Sequence, residues 1–125
     1  MSIARLATPV ALLFMAATID AATARPREVP PATPDGKPVS CVPIVGLQSK
    51  VRDDRTIDFF QGRRAWRNTL PQSCPSLGFE QAFSYATSLS QLCSSDIITV
   101  FRQGGGIPGA SCGLGEFQPV KGVKP

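Results

Sequence analysis

The stretch Thr56-Ile57-Asp58-Phe59-Phe60-Gln61-Gly62-Arg63-Arg64-Ala65-Trp66-Arg67-Asn68-Thr69-Leu70 reads as a β-hairpin. From Thr56 to Phe59 polar and apolar side chains alternate, the period of a strand with two unlike faces. Gln61-Gly62-Arg63-Arg64 supplies a turn, and Ala65 to Leu70 resumes the strand with Trp66 and Leu70 two steps either side of Asn68. Side chains two apart share a face, so Asn68 points inward beside Trp66 and Leu70. A buried carboxamide needs partners, and Asn68 is expected either to find backbone groups or to mark a strand end.

Outward from the hairpin the chain stays β-rich. A strand around Ile44 to Val51 turns at Asp53-Asp54 into the hairpin, and Ile97-Ile98-Thr99-Val100-Phe101 is rich in β-branched residues ahead of the Gly104-Gly105-Gly106 loop. Ala110 to Phe117 can return as a strand, with Gly113 and Gly115 arguing for a bulge or for the close approach of another backbone. Pro71, Cys74-Pro75 and Gly78 punctuate the middle, and Phe79 to Tyr85 is read as a helical turn, with an irregular strand as the alternative. About five short strands with one helical insertion describe an all-β small barrel or compact sandwich.

The N-terminus carries the marks of a secretory signal over residues 1–24: Arg5, an apolar segment Leu6 to Ile19, and the small-x-small site Ala22-Thr23-Ala24. The apolar run is too short to span a bilayer, so no transmembrane segment is expected in the mature chain, which is read as periplasmic or secreted. Residues 25–39 read as an extended disordered linker, because Arg25 to Pro38 hold five prolines and only Val29 as a sizeable apolar side chain. Residues 40–120 then form one β-rich domain and 121–125 a flexible tail. Removing Arg5 and Asp20 with the signal leaves 12 basic and 8 acidic residues, a net +4 that suits solubility better than dedicated polyanion binding.

Four cysteines, Cys41, Cys74, Cys93 and Cys112, accompany no histidine at all. An even cysteine count in a small exported domain reads as two disulfides. Zinc is disfavoured because no C-x-x-C pair occurs and no histidine can complete a mixed ligand set. Four cysteines allow three pairings and spacing does not choose among them; the nested pairing, Cys74 with Cys93 and Cys41 with Cys112, is the expectation.

Taken together, Asp54-Arg55-Thr56-Ile57-Asp58-Phe59, Arg67-Asn68-Thr69-Leu70-Pro71, Cys74-Pro75-Ser76-Leu77, Phe83-Ser84-Tyr85, Gln91-Leu92-Cys93, Asp96-Ile97-Ile98-Thr99-Val100 and Cys112-Gly113-Leu114-Gly115-Glu116-Phe117 give the chain a likeness to known proteins. It resembles a family of small exported bacterial proteins classified as a domain of unknown function. The resemblance implies a secreted or periplasmic location and a shared fold. It brings no activity and no functional residues.

Catalytic motifs are sparse. Gly109-Ala110-Ser111-Cys112-Gly113 fits G-x-S-x-G, but a serine triad needs a histidine and a large βα scaffold. Asp53, Asp54, Asp58, Glu80, Asp96 and Glu116 could hold an acid–base pair for glycoside cleavage, yet their positions suit turns and caps better. Gly104-Gly105-Gly106 lacks the Lys and Ser/Thr of a phosphate loop. No catalytic residue, cofactor or metal ligand is assigned. The remaining constellation is Arg63, Arg64, Trp66 and Arg67, a cationic, aromatic-flanked hairpin that could take an anionic glycan or single-stranded nucleic acid, set against a core Trp66 and a solvated turn. The leading expectation is a non-enzymatic binding or interaction module of the cell envelope, its partner an envelope protein or an anionic polymer. The alternatives are a histidine-free hydrolase using carboxylates and a polyanion binder through the Arg63 to Arg67 hairpin.

Overall fold

A computed structural model describes residues 9–13, 28–102 and 107–125. The predicted cleavage site and the Gly104-Gly105-Gly106 loop lie outside the described residues. The hairpin is present as read. β4 (Thr56–Gln61) pairs antiparallel with β5 (Arg64–Thr69), Phe59 facing Trp66 and Ile57 facing Asn68. Gly62 and Arg63 form the two-residue loop, and Gly62 takes a φ of 58°, the left-handed setting such tight hairpins require.

Around this hairpin the chain builds a five-stranded sheet ordered β1-β10-β5-β4-β3, from β1 (Thr33–Pro34), β3 (Gln48–Val51) and β10 (Phe117–Lys121). A two-stranded ribbon joins β2 (Cys41–Pro43) to β7 (Gln91–Cys93). The third sheet is ordered β6-β8-β9, from β6 (Phe83–Tyr85), β8 (Ile97–Phe101) and β9 (Pro108–Gly113). Among the described residues the fold is all-β with one short helix, and ten strands stand where about five were expected. Among the described residues no sheet closes into a barrel.

One core lies between the sheets. Ile57, Phe59, Trp66 and Phe117 from the large sheet meet Ile98 and Val100 from the small one and Val42 and Leu92 from the ribbon, all nearly inaccessible. Phe59 stands edge-on to Phe117 at 5.4 Å and to Phe83 at 6.3 Å between ring centroids, the offset geometry aromatic quadrupoles favour. Asn68 lies in this core, fully buried. Its Nδ2 donates to the Gly115 carbonyl at 2.7 Å, and its Oδ1 accepts from the Gly115 amide at 2.8 Å. A Cβ on Gly115 would collide with the Thr69 carbonyl oxygen, so the close backbone approach expected of a glycine in this segment occurs here.

The disulfides correct the nested pairing: Cys41 is bonded to Cys93 and Cys74 to Cys112. The β2–β7 register sets Cys41 directly opposite Cys93 with Cα atoms 4.0 Å apart, while Cys112, inward beside Ile98, meets a buried Cys74. No disulfide ties the first strand to the last. Instead β1 adds to the edge of β10, Asp35 donates its amide to the Pro119 carbonyl at 2.8 Å, and Val39 exchanges backbone bonds with Phe117. Within the segment read as a disordered linker, Thr33, Pro34 and Val39 therefore pair with β10. The segment's composition offers few apolar side chains, but an edge strand gains its partners through the backbone and tolerates proline. The tail is likewise engaged, since Lys121 ends β10 and Arg52 Nη2 donates to the Lys124 carbonyl at 2.6 Å.

The helical turn is also displaced. α1 spans Leu77–Glu80 and stops at Gln81, whose left-handed φ of 61° ends the helix while its amide bonds the Leu77 carbonyl. Phe83 to Tyr85, read as helical, is strand β6, because its alternation serves pairing with Val100, Thr99 and Ile98.

Candidate functional site

The hairpin constellation divides between the two faces of the sheet. Arg64 and Trp66 are two residues apart on β5 and share one face, where the Arg64 guanidinium lies 4.6 Å from the centre of the Trp66 ring. Trp66 is only 2% exposed, so it is a core residue whose outer edge is capped by a cation rather than an open stacking platform. Beside it runs a cleft of about 440 Å³ bordered by Arg63, Arg64, Trp66, Asp35, Val39 and Lys121. The charged groups on that rim are three cations and one carboxylate, a local +2.

Arg67 points the other way. Its Nε and Nη2 donate to the two Asp58 carboxylate oxygens at 2.8 and 3.0 Å, and Arg52 Nε donates to Asp58 Oδ2 at 2.8 Å. Asp58 is fully buried, and the two arginines, with side chains 12% and 16% exposed, enclose it. A carboxylate out of water is tolerated when several charge-assisted hydrogen bonds satisfy its lone pairs, which is the arrangement here. Of the four expected binding residues, Arg63, Arg64 and Trp66 thus meet at one cleft, and Arg67 is spent on the frame.

Lys121 was not among the expected site residues. It reaches the rim because β10 lies between β1 and β5, a pairing of residues about fifty positions apart for which the tail carries no local signal.

Most of the remaining carboxylates named from the sequence hold backbone. Asp53 Oδ1 accepts from the Arg55 amide at 2.8 Å, Asp54 Oδ1 from the Gly78 amide at 2.7 Å, and Asp96 Oδ2 from the Cys93 amide at 2.7 Å. These are turn and capping bonds of the kind short acidic side chains make. Two further concavities, of about 510 and 240 Å³, border Tyr85 with Asp96 and Ser73 with Cys112; neither brings two carboxylates together. Ser111 lies on β9 with its hydroxyl 3.1 Å from that of Thr99, and Gly109 lies close against Val100, so the G-x-S-x-G match falls on a sheet edge beside a cystine.

Among the described residues no group of three or more Cys, Asp and Glu is placed to hold a metal ion, and no helix is long and apolar enough to cross a membrane. No family model matches the chain, and neither a curated protein nor a solved structure matches it.

Proposed function

We propose that the protein is an exported, non-enzymatic binding module of the cell envelope, periplasmic or secreted, that takes an anionic partner at the hairpin cleft. Two disulfides in so small a fold are compatible with an oxidising compartment. The likeness to small exported bacterial proteins belongs to the same proposal. The observation that carries the reading is how the charged groups are used: Asp53, Asp54, Asp58 and Asp96 are bonded into the frame, while Arg63, Arg64 and Lys121 are left around a cleft that can admit a ligand. Cations on an open rim attract anions over a longer range than any neutral group does.

Trp66 is the chain's only tryptophan, and its ring is in contact with one of the proposed binding cations, so its emission is a direct readout. Titration with heparin is expected to change Trp66 fluorescence, with an apparent affinity that falls as salt is added. Arg63→Ala with Lys121→Ala should weaken that affinity far more than Lys50→Ala, which removes a charge from the exposed edge strand β3. Equal effects of the two variants, or no response to heparin at low salt, would remove the cleft as the binding site.

A further inference from the structure

We infer that β6 is a self-association edge, through which two copies of this chain join their three-stranded sheets across a two-fold axis. The other sheet edges among the described residues carry devices against strand addition, and on β7 these are side-chain bonds: Thr87 Oγ1 donates to the Gln91 carbonyl at 3.0 Å and the Cys93 amide donates to Asp96 Oδ2 at 2.7 Å. β3 presents Gln48 and Lys50, β1 carries Pro34, and β2 carries Pro43. β9 begins at Pro108, is interrupted by a bulge opposite Thr99 to Phe101, and is bordered by the Pro71 to Ser73 segment near the Cys74–Cys112 bond. β6, Phe83-Ser84-Tyr85, has neither charge nor proline and lies at the end of its sheet.

Its backbone is in register for a second copy. The Phe101 amide donates to the Ala82 carbonyl at 2.9 Å, so Ala82 occupies a hydrogen-bonded pair with β8. By the alternation of an antiparallel ladder, Ser84 bonds inward and the amides and carbonyls of Phe83 and Tyr85 point away from β8. Centred on Ser84, a second β6 running antiparallel places Phe83 of one copy opposite Tyr85 of the other, and both such pairs exchange two backbone bonds. The arrangement is self-complementary, as a two-fold interface must be.

Surface chemistry favours the same occupant. Among the described residues from 28 onward, six of the eight exposed large apolar side chains lie between Phe79 and Ile107, and Phe79, Tyr85, Leu89, Ile97 and Phe101 belong to β6, its flanks or its neighbour β8. Charge is distributed oppositely. Described residues 28–70 and 117–125 carry nine basic and five acidic side chains, a net +4, whereas described residues 71–116 carry one basic and three acidic, a net −2. Joining β6 to β6 therefore buries apolar surface and brings together the portions with the smaller net charge, −2 against +4.

Ser84 is exposed and faces its own counterpart across the axis, which makes it the position to test. Sedimentation velocity of the purified, oxidised protein should show a concentration-dependent dimer. Ser84→Lys sets like charges opposite each other and should weaken the dimer at least about tenfold; Ser84→Glu should do the same. An equimolar mixture of the two variants should recover association, because unlike charges then meet at the axis. A wild-type protein that stays monomeric overturns the inference, including one that captures an extended peptide at β6 instead. So does an unperturbed Ser84→Lys dimer, or a mixture that fails to associate.

Discussion

β4 and β8 both contribute to the one core, and they differ in a direction opposite to their composition. β4, Thr56-Ile57-Asp58-Phe59-Phe60-Gln61, contains a carboxylate and is buried on both faces. β8, Ile97-Ile98-Thr99-Val100-Phe101, is almost wholly apolar, yet only Ile98 and Val100 are buried while Ile97 and Phe101 are 59% and 52% exposed. Burial is therefore set by what covers a strand rather than by its own side chains. The second face of β4 is closed by Arg52 and Arg67 folding over Asp58, with Arg52 also tied to the C-terminal tail. On the corresponding face of β8 Ile97 and Phe101 stay exposed, and the Thr99 and Ser111 hydroxyls bond to each other.

The largest test of this contrast is at the disulfides. Cys74–Cys112 closes a separation of 38 residues and fastens β9 to the segment that leaves the large sheet, so it is the covalent tie between the two halves. Replacing both with alanine should cost about 4 kcal/mol by loop-closure arithmetic. Hydrogen exchange should then accelerate in β8 and β9 before β4 and β5, whose mutual pairing is independent of that bond. Uniform acceleration would mean that the sheets unfold as one unit and that the contrast has no energetic counterpart.

Asp58→Ala comes next. It leaves Arg52 and Arg67 facing one another with little access to water, and removing one partner from a buried ion pair costs about 3 kcal/mol. The urea midpoint reads the loss. A change no larger than that of an ordinary surface substitution would show that β4's outer face is closed by something other than its ion pairs.

Much of the hairpin was legible because its determinants are local. The alternation from Thr56, the turn at Gly62, the inward Asn68 and the close approach at Gly115 all follow from strand periodicity and from what glycine permits. The features that escaped are those made by distant segments. Cys41 lies opposite Cys93 only because β2 pairs with β7, and Pro34 joins a sheet only because β10 offers it an edge. The candidate site shows the same division. Arg63, Arg64 and Trp66 could be singled out within one hairpin, whereas Lys121 arrives from β10 and Arg67 is withdrawn by a carboxylate nine residues before it in the chain. Alternation in β4 shows that Asp58 leaves the core face; it does not say that two arginines wait on the other side.

The smallest expected effect lies on the bare face of β8. Thr99 and Ser111 are directly paired across β8 and β9, with their hydroxyls 3.1 Å apart on a side of the sheet that solvent reaches. A hydrogen bond between exposed hydroxyls exchanges readily for bonds to water, so its net contribution is small. Thr99→Val with Ser111→Ala removes both hydroxyls without leaving either unpaired, and valine keeps the β-branched shape a strand accommodates. Unfolding free energy should change by no more than about 0.5 kcal/mol. A loss approaching that of Asp58→Ala would mean that this face is covered in the folded protein in solution. The same double substitution measured at low and high protein concentration separates the two explanations: a cost that appears only when the protein is concentrated belongs to a contact between copies, and a cost present at every dilution belongs to the fold of one chain.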